Sequence, residues 1–443
     1  MKMPKTPPDQ SRLWDELVPS GRLPAILQAV PGRSARGQYL HWDKLVRHPP
    51  PEGLSHEEWW FGLKVYRRML TRSVPLQDKL GRHFQYVPAD PFEESLHQID
   101  QGAGGMIEVP DPIMNPETKD RYYVRSLIDE AITSSQLEGA ATTRQVAKEM
   151  IRAGRKPRDR SEQMILNNYR TMRRIGELKE KPLTERLIFE LHRLVTRDTL
   201  DDPSAVGRPR REDEPIVVDD MYGTVFHDPP PAGELPRRMR AMCDFANGKT
   251  PGEFVHPVIR SIILHFWLAY DHPFVDGNGR TARALFYWSM LHHGFWLFEF
   301  ISISPIIRKG PAKYGRAFLH VETDENDLTY FILYHLHVIR RALDELHDFV
   351  KKETRRLRAL EARLRGIAVL NHRQRDLIGH ALRHPQHRYT IESHRVSQNV
   401  VYQTARTDFL DLVDRGLMHG EKVGKTWHFT PVSDLENRLA TMS

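Results

Sequence analysis

Twelve residues, His272-Pro273-Phe274-Val275-Asp276-Gly277-Asn278-Gly279-Arg280-Thr281-Ala282-Arg283, concentrate the groups whose types and spacing can do chemistry. Gly277, Asn278 and Gly279 permit backbone conformations that aim several N–H groups at one point, and a helix beginning near Asn278 adds its positive end. That combination is an anion hole of phosphate type. Arg280 and Arg283 stand at i and i+3 on the same helix, so both guanidinium groups can face one anion. Asp276, beside the hole, is placed to hold a Mg²⁺ that bridges phosphates. His272 stands just before the loop and can take a proton from an incoming hydroxyl. Singly these features are ordinary, since a lone histidine is usually structural and a Gly-x-Gly before a helix is usually a turn. Eight chemically specified positions within twelve residues are a different matter.

The elements that must position this loop read as helices. Val124, Leu127, Ile128 and Ile132 make one buried stripe, and further helical patterns cover 162–177, 184–198, 236–246 and 256–270. The exception is 214–226, where β-branched flanks surround an Asp/Gly turn, a short hairpin stopped by Pro229-Pro230-Pro231. Upstream, Ser55-x-x-Glu58 predicts a capping box ahead of an apolar helix with Trp59, Trp60 and Leu63. The first fifty residues, rich in proline and arginine, read as irregular, and 103–118 as a connection. Leu343, Val350, Leu357 and Leu364 recur at sevens, alongside Leu346, Leu360 and Ile367, which predicts one long helix joining two domains rather than a dimer seam. After Asn371 three short helices precede a polar hairpin around Lys422-Val423-Gly424-Lys425, the order of a winged helix.

Composition limits the classes. The chain has 443 residues, 40% hydrophobic and 28% charged, enough for cores in two or three domains. A single cysteine, Cys243, excludes a disulfide framework and a cysteine zinc site and predicts a reducing, cytoplasmic setting. No apolar run is long enough to cross a bilayer, so no membrane partner is expected. The formal charge of +7 tolerates nucleic acid without demonstrating it. The 23 histidines are scattered, with no recurrent ligand spacing.

The segment His272–Arg283 resembles the Fic-family signature His-x-Phe-x-(Asp/Glu)-Gly-Asn-Gly-Arg-x-x-Arg at every defined position. Leu191-His192-Arg193-Leu194 and Gly207-Arg208-Pro209-Arg210 look like family landmarks, and the resemblance covers about 122–350. It implies a mainly α fold, a Fic-type helical bundle with a short β-hairpin flap, and transfer of AMP from Mg-ATP to a Tyr, Thr or Ser hydroxyl of a target protein or of the chain itself. Carried over, His272 is the general base, Phe274 anchors the loop and Asp276 binds Mg²⁺. Gly277, Asn278 and Gly279 cradle the α- and β-phosphates, while Arg280 and Arg283 meet the β/γ end. The flap, with Val218, Asp219, Tyr222 and Gly223, aligns the target by strand addition. Tyr314, near Ala317, resembles the tyrosine lining the family's adenine pocket, with Gly315 where a second tyrosine often stands.

Ser134-Ser135-Gln136-Leu137-Glu138-Gly139 resembles the family's inhibitory motif, (Ser/Thr)-x-x-x-Glu-(Gly/Asn), on a helix of about 122–139. Ser134, Glu138 and Gly139 then make a self-inhibitor, with Glu138 expected in a two-oxygen ion pair on Arg283. The implied organisation is an N-terminal helical and irregular region over 1–105, a Fic domain over 106–350 that includes the inhibitory helix, a connecting helix over 351–368 and a winged-helix domain over 369–443. In the last, Arg406, Lys422 and Lys425 could meet DNA, or the same fold could dock a protein. Two alternatives stay open: a DNA-binding regulator with an inactive Fic domain, and removal of AMP from a modified protein. The target and the oligomeric state, a homodimer included, are left open.

Overall fold

The computed structural model describes residues 2–35, 37–104, 116–219, 223–424 and 426–442. The chain forms two compact units, Met1–Ile107 with Arg125–Asp344, and Glu108–Val124 with Glu345–Ser443.

The first unit opens with helices α1 (Gln10–Leu17), α2 (Leu23–Ala29), α3 (Trp42–Leu45) and α4 (His56–Met69). The expected irregular start is thus corrected: three short helices occupy it. At four to eight residues each, they are too short to show a 3.6-residue period amid prolines. Ser55 and Glu58 form the reciprocal capping box of α4, whose Trp60 and Leu63 are fully buried with Leu13 and Ile26. An antiparallel pair, β1 (Arg72–Gln77) and β2 (His83–Tyr86), was not anticipated, because Arg-Ser-Val-Pro-Leu-Gln has no clean alternation. Then comes α5 (Phe92–Ile99); the expected connection over 103–118 lies largely outside the described residues.

The bundle that holds the loop comprises α6 (Pro116–Leu137), α7 (Arg144–Ala153), α8 (Arg160–Leu178), α9 (Glu185–Thr196), α10 (Leu235–Ala246), α11 (Pro257–Asp271) and α12 (Asn278–His292). Between α9 and α10 lies the small hairpin β3 (Val218–Asp219) and β4 (Val225–His227). Helices α13 (Ser304–Arg308), α14 (Pro311–Thr323) and α15 (Thr329–Gly366) follow. α11 and α12 pack against each other and are buried almost all round; α11 is mostly apolar, whereas α12 also buries Asn278, Arg280, Thr281 and Arg283. Cys243, on α10, is buried, and burial pushes its thiol up to about 12, which makes it core rather than nucleophile.

In the second unit, α16 (His372–Arg383), α17 (Ile391–Gln398), α18 (Tyr402–Asp414) and α19 (Leu435–Thr441) surround a sheet in the order β5 (Tyr389–Thr390), β7 (Thr426–Pro431), β6 (Met418–Val423). Its core includes Ile378, Ala405, Phe409, Leu412 and Phe429.

Candidate active site

The loop is suspended between two buried helices. α11 ends at Asp271, and His272 closes it at φ 44° with its N–H on the Leu268 carbonyl at 3.0 Å. Arg210 holds this left-handed turn from outside. Its Nε donates to the His272 carbonyl at 2.9 Å, its backbone N–H to the Pro273 carbonyl at 2.8 Å, and Nη2 to the Pro230 carbonyl. His272 Nδ1 lies 3.2 Å from the Ala269 carbonyl. A carbonyl only accepts, so we assign the neutral ring's proton to Nδ1, which leaves Nε2 as the basic nitrogen. Burial pushes the His272 imidazole down to about 4, so it is unprotonated at neutral pH.

Phe274 is fully buried and stacks on His192 with ring centres 3.7 Å apart. The Gly207 N–H donates to His192 Nδ1 at 3.0 Å, so Nε2 carries the hydrogen and donates to the Asp276 carbonyl at 2.9 Å. Asn278 staples the loop to itself: the Phe274 N–H donates to Oδ1 at 2.9 Å and Nδ2 donates to the Phe274 carbonyl at 2.7 Å. Gly277, at φ 82°, opens α12, and a Cβ there would stand 2.5 Å from the Thr196 methyl carbon. Gly279 is helical and needed for another reason. A Cβ on it would come within 2.2 Å of a Glu138 carboxylate oxygen. The first turn of the anion-hole helix is therefore covered by an acidic side chain.

Arg280 and Arg283 are both buried, yet differently engaged. Arg280 Nη1 donates to the Val195 carbonyl at 2.8 Å, Nη2 lies 3.6 Å from Asp276 Oδ2, and Nε is buried without a hydrogen-bond partner. Arg283 Nε donates to the Ser134 hydroxyl at 2.7 Å, while Nη2 donates to the Ser134 carbonyl at 2.9 Å and to Glu138 Oε1 at 2.8 Å. The expected two-oxygen fork is thus replaced by a one-oxygen pair, because Ser134 takes the Nε side. Burial opposes the Arg283 charge, but Glu138 holds its pKa above the ordinary value. Glu138 caps α6 as the residue before Gly139, whose φ is 92°. The Ala140 N–H on the Ser135 carbonyl and the Gly139 N–H on the Gln136 carbonyl complete a Schellman ending. An acid at a helix C-terminus faces the negative end of the dipole, so the pairing with Arg283 compensates a locally unfavourable position.

The other expected site residues are less concentrated. The Tyr314 hydroxyl pairs with His265 Nε2 at 2.9 Å, and burial pushes it up to about 12 beside Arg283. In the flap, Val218 lies opposite His227 and Asp219 opposite Val225, and Gly223 takes φ 78°. Tyr222 lies outside the described residues, as does Lys425. Arg406 and Lys422 are exposed. Asp276 is half-exposed at the loop's mouth, with Arg160 and Arg280 each 3.6 Å from its Oδ2. One half-exposed carboxylate between two guanidinium groups fits Mg²⁺, which keeps most of its waters and takes the rest of its ligands from substrate. Elsewhere, among the described residues, His41, Asp43 and His320 bring ligand atoms within 4.8 Å of one another. The two imidazoles stack 4.3 Å apart at 5°, so their in-plane lone pairs do not converge on one ion.

Residues 182–290 match the Fic/DOC family. They form a Fic/DOC family domain. The match takes in His192, Arg210, the flap and the whole loop, whereas Ser134, Glu138 and Tyr314 lie outside it. The chain is 28% identical over 239 residues to the protein adenylyltransferase Fic of Nematostella vectensis, covering 52% of this chain and 53% of that protein. It is 34% identical over 113 residues to the protein adenylyltransferase Fic of Drosophila willistoni, covering 26% of this chain and 20% of that one. The chain thus spans about half or less of these relatives' length. A solved Fic family protein from Desulfovibrio desulfuricans matches with a TM-score of 0.51 at 19% identity, over 76% of this chain and 96% of that one, a likeness of fold.

Two groups that hold the Fic loop carried no role in the sequence reading. In the sequence, Arg210 and His192 stand only within the two landmark tetrapeptides. His227 was not singled out at all. Its Nε2 lies 2.7 Å from the Tyr270 carbonyl and its Nδ1 2.7 Å from Glu322, a contact 95 residues away in sequence that no local pattern announces.

Proposed function

We propose that this chain is a protein adenylyltransferase that moves AMP from ATP to a hydroxyl of a target protein or of itself, held off by Glu138. The observation that carries this reading is the Glu138 carboxylate lying on Arg283 at 2.8 Å and against the Gly279 backbone. An inhibitor seated on the phosphate-binding groups makes sense only for a site that binds phosphate.

The target hydroxyl gives its proton to His272 Nε2 as its oxygen bonds to the α-phosphorus, and the bond from that phosphorus to the bridging oxygen of pyrophosphate breaks in line. The α12 N-terminus and Arg280 would hold the phosphates, and Arg283 would take the γ-phosphate once Glu138 leaves. Asp276 would hold a Mg²⁺, which supplies charge neutralisation to the phosphates. The flap offers the target an edge, with Val217 and Val225 about half exposed. Residues 369–443 are proposed as a winged helix that docks DNA or protein. The single buried cysteine suits a reducing, cytoplasmic compartment.

Intact mass after incubation with Mg²⁺ and ATP tests the reading on the wild type, Glu138→Gly, and Glu138→Gly with His272→Ala. One added AMP on Glu138→Gly alone is expected. If none of the three gains mass and α-labelled ATP marks no protein in a lysate, the transferase reading falls.

A further inference from the structure

Glu138 is one of three residues through which, among the described residues, the inhibitory helix makes polar contact with the anion-hole helix. On α6, Glu130, Ser134 and Glu138 recur at intervals of four, which puts them on one face. On α12, Gly279, Arg283 and Tyr287 recur at the same interval. The two rows meet antiparallel. Glu138 lies against Gly279 and on Arg283, Ser134 bonds Arg283, and Glu130 bonds Tyr287.

Of the two carboxylates in the row, Glu130 is the more deeply buried, at 2% exposure. Its Oε2 accepts from the Tyr287 hydroxyl at 2.9 Å and from the Ser304 N–H at 3.0 Å, and its Oε1 accepts from the Ser304 hydroxyl. The Tyr287 hydroxyl in turn accepts from the Ile303 N–H at 2.8 Å. A buried carboxylate is a costly way to fill this space, and an aliphatic residue would pack there at less expense. What a carboxylate adds is direction. The neighbouring inward residues of α6, Leu127, Ile128, Ala131 and Ile132, make contacts that tolerate small slides along the helix axis. A carboxylate met by three donors from α12 and α13 does not tolerate them.

We propose that Glu130 is a positioning residue of the inhibitor: it fixes the register in which α6 delivers Glu138 to the anion hole. This rests on the reading of Glu138 as an inhibitor of AMP transfer. Losing a buried carboxyl group that meets three donors should then raise the population with Glu138 withdrawn by roughly tenfold or more.

The test compares AMP incorporation by Glu130→Leu and Glu130→Gln, each alone and with Glu138→Gly. Glu130→Leu should raise incorporation roughly tenfold over wild type, and Glu130→Gln, which keeps an acceptor for the Ser304 N–H, should fall between. On the Glu138→Gly background neither should change incorporation more than about twofold, because the effect acts through Glu138. Equal losses on both backgrounds would make Glu130 a support of the core and overturn the proposal, as would incorporation that stays at the wild-type level. Should Glu130→Leu not fold, Glu130→Gln decides alone. If Glu138→Gly itself transfers nothing, the transferase reading has failed, and hydrogen exchange judges the latch independently. Amides of 126–137 should then exchange about tenfold faster in Glu130→Gln while those of α11 stay as in the wild type, and unchanged exchange would sink it.

Discussion

The loop from His272 to Asn278 and the helix end from Ser134 to Ala140 face the same two turns of α12, but they are held by different means. The loop is stapled to its own neighbourhood, with Asn278 bonded back to Phe274 and His272 to Ala269 and Leu268, and is also held by Arg210 and His192 from farther along the chain. The helix end gets its shape from a local Schellman turn, but its place comes from partners about 150 residues away, Arg283 and the backbone at Gly279. On the proposed reading, the difference separates the part that does the chemistry from the part that restrains it. The loop is fixed by local and long-range bonds together, whereas the helix end, on the proposal that it is an inhibitor, rests on a few side-chain contacts that ligand could outcompete.

The largest expected effect tests the loop side. On a Glu138→Gly background, His272→Ala should lower AMP incorporation by roughly 10²- to 10⁴-fold with little change in melting temperature. A loss below about threefold would remove His272 from the role of base.

Next comes the boundary between the two regions. Glu138→Gly leaves the buried Arg283 guanidinium short of its anion, so the variant should be less stable than wild type by about 1–3 kcal/mol without nucleotide. Mg-ATP at saturating concentration should recover it, and should raise Tm by more than it does in the wild type. Equal shifts in both proteins would mean that Glu138 and the nucleotide do not compete.

A third change breaks the local staple. Asn278→Ala removes both bonds to Phe274 and should cost about 1–3 kcal/mol in denaturant unfolding, with activity falling alongside. A stability within about 0.5 kcal/mol of wild type would show the loop to be held by Arg210 and His192 instead.

The smallest effect is in pH. The folded His272 imidazole, lowered by burial to about 4, is already the free base at neutral pH. Transfer by Glu138→Gly should therefore stay level from about pH 6 to 8 and fall only as the pH nears the lowered pKa, the direction required for a base that protonation disables. A half-maximal point near the ordinary histidine value would show that nucleotide or target restores its solvation.

The regions differed as much in what could be read beforehand. His272, Asp276, Asn278 and the arginines stand together because the proposed phosphate site, made from a helix start, needs consecutive residues. Ser134 and Glu138 were found as a motif, but their one-oxygen pairing and the Ser134 contacts were not, since these depend on how α6 lies across α12. The β1–β2 pair and the three N-terminal helices escaped because elements this short carry too few turns or alternations to register.

By itself, then, the sequence determined the chemistry of the loop, the helical character of the bundle and the ends of its helices, because capping, glycine conformation and anion binding are decided within a few residues. Only the tertiary structure decided what holds that chemistry and what restrains it. Arg210 on the His272 carbonyl, His192 beneath Phe274 and Glu130 against Tyr287 are all meetings of residues far apart in the chain. Such contacts follow from how helices pack, and packing is a property of the whole core rather than of any one segment.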